Sequence, residues 1–416
     1  MKKNQLLLLM ILLLQIFPVA IFADNHTSDG TTNASVFDTP ASHAHVYIDG
    51  IYYNLYDNTK EAAVTDGDIP NTDGNGRKTY VGNITIPSTV KYEGTTYNVT
   101  FIQRSAFSRN IELLSVTLPN SITSIGWEAF AECKKLQSIT IPKSVTLIEE
   151  RTLSACVNLK TIIVDKDNKV FDSRNNCNAI IDTETNELIQ GCQTTVIPNT
   201  VTRIGNEAFF GMASLTSIDI PNSVTSIGNS AFGQSGLTTL TIPNSVIYLG
   251  EYIFAGCIDM KSITLTESLK TIQTWTFQSC VELQSITIPA SVESIYWDSF
   301  FSCNNLKSMY FNSTTPPVAN TDMSDWQKKS LNELFKGVII HVPVGYKDVY
   351  RNSNNEFLKN ATIIDDVIIP QNTTGITNVP TSNTSHPSPI FDLSGKQLSA
   401  PRKGINIING KKVIIK

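Results

Sequence analysis

Alternation of apolar and hydroxyl-bearing residues sets the first element of this chain. Short stretches such as Ile139-Thr140-Ile141 and Ile286-Thr287-Ile288 put apolar side chains on one face and hydroxyls on the other, the pattern of a half-buried strand. Proline ends each stretch. After Asn-Ser comes a second apolar pair three residues apart, Val224 and Ile227 or Val292 and Ile295, then a glycine or polar turn, then Ala-Phe, often with cysteine three residues on. The pattern predicts a strand, a turn, a second short extended segment and a tight helical or bend segment.

The same phrase is written again and again. Ser217 to Phe232 is repeated by Thr239 to Phe254, Pro119 and Pro142 are 23 residues apart, and Pro221 and Pro243 are 22 apart. A second column agrees independently: Phe107, Phe130, Leu153, Phe209, Phe232, Phe254, Phe277 and Phe300. A repeat of this period predicts a mainly β, right-handed solenoid of 22–23-residue coils. Roughly eight inward side chains contribute about 1.5–3 kcal/mol each, while ordering a coil costs about 1–2 kcal/mol per residue. A lone coil is therefore unstable, and stacking must pair the strands in parallel, about 4.8 Å per coil.

The rest of the chain is read around that array. Residues 1–23 have two lysines, an apolar run and a small-residue end, the three parts of a signal peptide. The run is short for a span and no second long one follows, so no transmembrane segment is expected after cleavage. Residues 24–45 read as a flexible polar leader holding His26, His43 and His45. Residues 46–106 carry strand patterns with hairpin signals at Asp49-Gly50 and Glu93-Gly94, and are expected to form an N-terminal β cap. The solenoid is assigned to 107–311, with an insertion at about 165–195, because Pro142 and Pro198 are 56 apart. Within the insertion a hairpin is expected around Thr183 to Asn186. Residues 312–366 read as a C-terminal cap with a strand at Val338 to Val342, a short helix through Tyr346 and Tyr350, and a closing segment at Ala361 to Ile364. Residues 367–388 are a linker, and 389–416 a tail of three short strands.

Composition narrows the function. The net charge of −5 with both signs dispersed indicates no groove for nucleic acid. Basic residues gather only in the tail, read as a solvated end or as a recognition signal. Five of the seven cysteines, Cys133, Cys156, Cys257, Cys280 and Cys303, share one repeat position with Met212, which suggests a small apolar filler. If Ile181 faces Leu188 in the insertion hairpin, Cys177 falls opposite Cys192, a candidate disulfide in an exported chain. Residues 107–311 contain no histidine, and no phosphate loop, nucleophile elbow or metal-ligand spacing is present. Asp165 to Asn168 reads as a turn rather than a calcium loop. No catalysis, cofactor or metal is expected.

Binding surfaces on solenoids are built from repeat-equivalent positions. One outward file of the first strand runs through Thr241, Thr264 and Thr287, either a soluble β surface or a flat hydroxyl array for a glycan or protein ligand. Tyr248, Tyr252, Trp275, Tyr296 and Trp297 depart from the small or polar residues of their columns. Tyr252 and Trp275 are one repeat apart and hence stacked neighbours. They are either interface anchors or packing beneath the C-terminal cap.

The unit Ile-Thr-Ile-Pro-Asn-Ser-Val-Thr-Ser-Ile-Gly-x-x-Ala-Phe-x-x-Cys resembles the BspA-like leucine-rich repeat family of bacterial surface proteins over about Val46 to Asp365. Leu153 for phenylalanine, Thr266 for proline and Tyr296 for glycine are local departures. The tail from Ile390 is similar to the C-terminal sorting signal of the type IX (Por) secretion system of Bacteroidota, with Asn406 where tyrosine is common. The resemblance implies a cell-surface or secreted, non-catalytic adhesin that binds matrix proteins, other cells or glycans, and a tail that engages secretion machinery. The rival readings are a surface scaffold without its own ligand and an accessory protein for polysaccharide capture.

Overall fold

The computed structural model describes residues 40–67, 80–319, 335–353, 355, 358 and 361–368, and the backbone of 390–391, 397–398, 404–408 and 411–415. The expected signal peptide, Trp326 and nearly all of the leader and linker lie outside these residues. Strands dominate, and Lys347–Arg351 is a single short α-helix. Among the described residues no helix is long and apolar enough to cross a membrane.

Each coil contributes two short strands and a bend. First strands pair in parallel with a 23-residue offset, Ser115 with Ser138 and Ser138 with Thr161, then Thr239 with Ser262 and Ser285 with Ser308. Second strands stack likewise, Phe101 on Ser124 on Leu147's coil and Arg203 on Ser226 on Tyr248. The apolar residue of each alternating pair points inward, so Ile139, Ile141, Ile286 and Ile288 are buried while Thr140 and Thr287 are exposed. Parallel pairing in register repeats the same side chain on the same face every coil.

The bend has its own backbone rule. Residues two before and two after the phenylalanine adopt positive φ in every coil except at Asp298, before Phe300: Ser230 at 52° and Gln234 at 54° flank Phe232, and Glu128 at 53° and Glu132 at 57° flank Phe130. Glycine occupies the second position only at Gly211 and Gly256. A left-handed non-glycine residue costs roughly 1–2 kcal/mol. The geometry persists because it aims N–H groups at the next coil: Phe232 donates to the Ile253 carbonyl at 3.0 Å and Gln234 to that of Ala255 at 2.7 Å. Each such bond contributes about 0.5–1.5 kcal/mol.

Between those bonds the phenylalanine rings stack. Phe209, Phe232, Phe254, Phe277 and Phe300 follow one another at 5.2, 5.9, 5.6 and 5.3 Å, with interplanar angles of 7° to 15°. A shorter stack runs from Tyr80 through Phe107 to Phe130. The cysteine column has more than the filling role expected of it. Cys133, Cys156, Cys257, Cys280 and Cys303 each donate S–H to the carbonyl of the phenylalanine one coil earlier, at 3.0–3.3 Å. A small side chain with a weak donor suits that slot.

The N-terminal cap begins with the hairpin His43–Ile48 and Ile51–Tyr56. Asp49 and Gly50 both have positive φ, as do Glu93 and Gly94 in the second hairpin, which are the two-residue turns that suit twisted strands. Glu61–Thr65 pairs antiparallel with the first hairpin and parallel with Thr95–Ile102, converting the cap into the coil ladder.

At the insertion the regular stack is interrupted. Phe171–Asp172, Ala179–Asp182 and Glu187–Gly191 form an antiparallel unit that joins the following second-strand ladder. The hairpin turns where expected, with the Asp182 carboxylate accepting from the Glu184 and Thr185 amides. Ile181 does face Leu188, yet a bulge between Ile180 and Ile181 moves the pairing to Ile180–Gln190 and Ala179–Gly191. That slip takes Cys177 and Cys192 out of alignment, and both are free thiols rather than a disulfide. Cys192 Sγ contacts the Asn178 carbonyl at 3.4 Å instead. Asp165 to Asn168 is a turn, in which buried Asn168 donates to the Pro142 and Val145 carbonyls. The insertion carries no bend of its own, so the bend of Leu153 meets that of Phe209 directly, with Ala155 N–H donating to the Phe210 carbonyl at 3.0 Å.

At the far end Ile339–Pro343 and Thr362–Val367 extend the first-strand ladder in parallel. The helix docks Tyr350, whose hydroxyl donates to the Ser313 carbonyl at 2.8 Å. The tail holds four strands rather than three, ordered Gln397–Leu398, Ile390–Phe391, Gly404–Ile408, Lys411–Ile415 in an antiparallel sheet.

Candidate functional site

The sequence candidates fall on two surfaces. Thr241 and Thr264 are register partners in one pair of first strands, and Thr287 pairs with Tyr310, which pairs with His341. All three threonines are exposed. The file therefore ends on aromatic rings: Tyr310 stacks on His341 at 4.2 Å and 16°, and His341 Nδ1 lies 2.9 Å from both Asp366 oxygens. His341 escaped sequence reading because it lies in the cap, where the 23-residue period has failed.

The aromatic candidates divide. Tyr252 and Trp275 sit in the left-handed position before successive phenylalanines, with φ of 56° and 57°. Their rings meet at 5.4 Å. Phe301 joins them, 6.2 Å from Trp275, so three half-buried rings from three successive coils form one ladder on the bend edge. Other coils carry Ser105, Glu128, Arg151, Glu207 and Ser230 at the Tyr252 position. Tyr248 lies elsewhere, on the strand Tyr248–Leu249, and is 50% exposed. Trp297 is half-buried and packs against the core, and Tyr296 is half-buried. Phe301 was not singled out in the sequence; the signal was its place in a column that otherwise reads mostly serine, alanine or glycine.

Buried charge accompanies the ladder. Asp298 occupies the next position of the Tyr252 column and is 5% exposed. Burial raises its carboxyl above the ordinary range, partly offset by the Trp275 amide. Burial also raises the Tyr252 phenol, with Glu251 and Asp298 adding to it.

A second cluster marks the same edge at the insertion. The Arg151 guanidinium binds both oxygens of Glu207, with Nη2 to Oε1 at 2.6 Å, and reaches Glu128 at 3.4 Å. It lies over Trp127 at 5.7 Å and Phe210 at 5.6 Å, while Arg104 covers Trp127 at 5.1 Å. Burial raises Glu128, which Arg151 opposes. Beside it a small cleft of about 80 Å³ is lined by Ile148 to Thr152, Glu187, Ile189, Gln190, Gly205 and Asn206. Its carboxylates are engaged: Glu149 accepts the Trp127 amide, Glu150 the Asn206 side chain, and Glu187 pairs with Arg203. Among the described residues no group of three or more histidine, cysteine, aspartate or glutamate side chains is placed to hold a metal. The column thiols are poor nucleophiles, because burial pushes Cys156 and Cys303 up to about 12 and Cys257 up to about 11.

Comparison with known proteins agrees with this architecture. The family described as BspA type Leucine rich repeat region matches six copies, at residues 78–182 and 189–307, more than half of the chain. No curated protein matches. Among solved structures, the chain is similar to a leucine-rich repeat protein from Eubacterium ventriosum at 18% identity, covering 81% of this chain and 96% of that one, with a TM-score of 0.41. A leucine rich cell surface protein from Faecalibacterium prausnitzii is 18% identical over 70% of this chain and 98% of that one, TM-score 0.36. The pneumococcal vaccine antigen PcpA is 15% identical over 80% and 100%, TM-score 0.39.

Proposed function

We propose that this chain, which belongs to the BspA-type leucine-rich repeat family, is a non-catalytic adhesin of the cell surface or medium whose solenoid binds a protein or glycan ligand. The observation that carries the reading is the ring ladder Tyr252, Trp275 and Phe301 on the bend edge, where neighbouring coils place small or charged side chains. Half-buried rings from separate coils form a rigid platform, and aromatic anchors dominate recognition surfaces. The exposed hydroxyl file of Thr241, Thr264 and Thr287 supplies polar contacts on the neighbouring strand face. Saturable binding of the full mature chain to arrays of matrix proteins and oligosaccharides supports the adhesin; no binding to either supports a scaffold without its own ligand.

Location is part of the proposal. Residues 1–23 carry the chain across the first membrane, and residues 389–416 act as a type IX sorting signal, the reading their resemblance supports. Deleting Ile390 to Lys416 is expected to leave the solenoid folded and the protein in the periplasm. Equal arrival of the truncated chain at the surface or in the medium refutes the sorting role.

A further inference from the structure

We infer that the Tyr252–Trp275–Phe301 edge is a docking site for an arginine- or lysine-bearing segment of a partner protein; this rests on the adhesin reading and names the chemistry of its ligand. The bends at 250–260, 273–284 and 296–305 carry Glu251, Asp259, Glu282 and Asp298 and no lysine or arginine. Glu251, Asp259 and Glu282 are exposed and, among the described residues, in no ion pair, so this end of the edge presents aromatic faces among negative charges.

The first coils show what the same edge does when cations are present. Arg109 pairs with Glu132 of the next bend at 3.0 Å, Lys135 with Glu112 at 2.6 Å, and Arg151 with Glu128. Trp127, in the position before the left-handed residue, lies beneath the guanidinium groups of Arg104 and Arg151 at 5.1 and 5.7 Å. Acid on one bend and cation on the next is thus the internal arrangement of this surface, and an aromatic ring there collects guanidinium. The bends at 250–260, 273–284 and 296–305 keep the acids, add the rings and carry no lysine or arginine of their own. Among the described residues no cation lies over Trp275, while the two cations over Trp127 come from the chain itself. The complement is a partner that brings its own. A guanidinium over the indole face gains from the ring quadrupole and from Glu251, whose charge already acts on the neighbouring Tyr252 phenol. A neutral glycan uses the rings alone and leaves Glu251 and Glu282 without a role.

The test measures binding of the full mature chain to a labelled peptide of alternating arginine and glycine, to the same peptide with citrulline for arginine, and to a neutral oligosaccharide. Citrulline keeps the shape and removes the charge. The arginine peptide is expected to bind saturably and at least about tenfold more tightly than the citrulline peptide. Trp275→Leu weakens it by about tenfold. Glu251→Gln with Glu282→Gln weakens it several-fold and flattens its salt dependence. That double variant changes only exposed side chains, so it keeps the test decisive if Trp275→Leu lowers stability. Glu184→Gln, an exposed acid in the insertion hairpin turn, leaves binding unchanged. Equal binding of the citrulline peptide, insensitivity to both sets of variants, or displacement by the oligosaccharide overturns the inference. If the variants still capture matrix proteins or glycans as wild type does, the adhesin reading stands and this site alone fails; if the wild-type chain captures nothing, both fail.

Discussion

Phe232→Ala tests whether the ring stack holds the solenoid together. Phe232 is fully buried, with Phe209 at 5.2 Å on one side and Phe254 at 5.9 Å on the other, both nearly parallel. Truncation removes its transfer free energy and leaves a cavity walled by two rings fixed by their own neighbours, so the site cannot collapse; the expected loss is about 3–5 kcal/mol. Two ring contacts also vanish, each worth about 0.5–1.5 kcal/mol beyond area, which places the expectation in the upper half of that range. Phe232→Leu is the internal control, since Leu153 occupies the same column naturally and is itself fully buried. It should lose well under half as much. Urea unfolding followed by far-ultraviolet circular dichroism, with the slope compared between variants, gives the numbers. A loss within error for alanine, or equal losses for alanine and leucine, refutes the claim that ring volume in this column stabilises the stack.

Arg151→Met leaves Glu128 and Glu207 without their common cation in a setting where the three side chains are 9–14% exposed, so a loss of about 3–5 kcal/mol is expected in the same assay; a change under about 1 kcal/mol, the worth of an exposed pair, rejects the cluster as a clamp across the insertion. Ser230→Gly relieves a left-handed residue at φ 52° and should stabilise by roughly 1 kcal/mol, whereas Ser230→Ala should not. Asp298 has a folded pKa raised by burial, so its favourable contribution is present below the unfolded value of 3.8 and is lost as pH rises through the folded one. Asp298→Asn, which keeps an acceptor for the Trp275 amide, is therefore expected to raise stability at neutral pH and flatten the acid limb of the profile; lower stability at neutral pH sinks that sign. Thiol titration after denaturation without reductant should count seven, and a count of five restores the Cys177–Cys192 bridge.

What was legible in the sequence is whatever repeats. Parallel in-register pairing forces each coil to present the same residue type in the same place, so Ile139, Phe232 and Thr264 announce their burial or exposure through their columns. The insertion was legible as a spacing anomaly and its hairpin as a turn around Thr183 to Asn186, but the bulge at Ile180 was not. Pattern alone fixes which face a residue takes on either side of a turn, and a single-residue slip between two apolar isoleucines leaves that pattern intact. The Arg151 clamp was hidden for a different reason. Its partners lie 23 and 56 residues away, and only the loss of a bend inside the insertion makes Glu207 a neighbour. The cysteine donors were masked by Met212, which fills the slot without an S–H and suggests packing alone.

The bend edge is where this architecture leaves room for specificity. On the strand faces, ladders hold each residue between two register partners, and at the second strand threonine hydroxyls are already spent on the carbonyls of the preceding coil, as with Thr123 on Thr100 and Thr225 on Thr202. Glycine is equally constrained where coils approach: a Cβ on Gly228 would stand 2.7 Å from the Asn206 amide nitrogen, and one on Gly250 2.6 Å from that of Asn229. The left-handed position before each phenylalanine obeys neither restriction. Its backbone conformation is set by the amides that bond the next coil rather than by one side-chain type, and serine, glutamate, arginine, tyrosine and tryptophan all occupy it in one chain. A position free to vary carries information when it stops varying at random. Tyr252 and Trp275 fall on consecutive coils beside Phe301, in bends that carry acids and no lysine or arginine, and packing of the core required neither change.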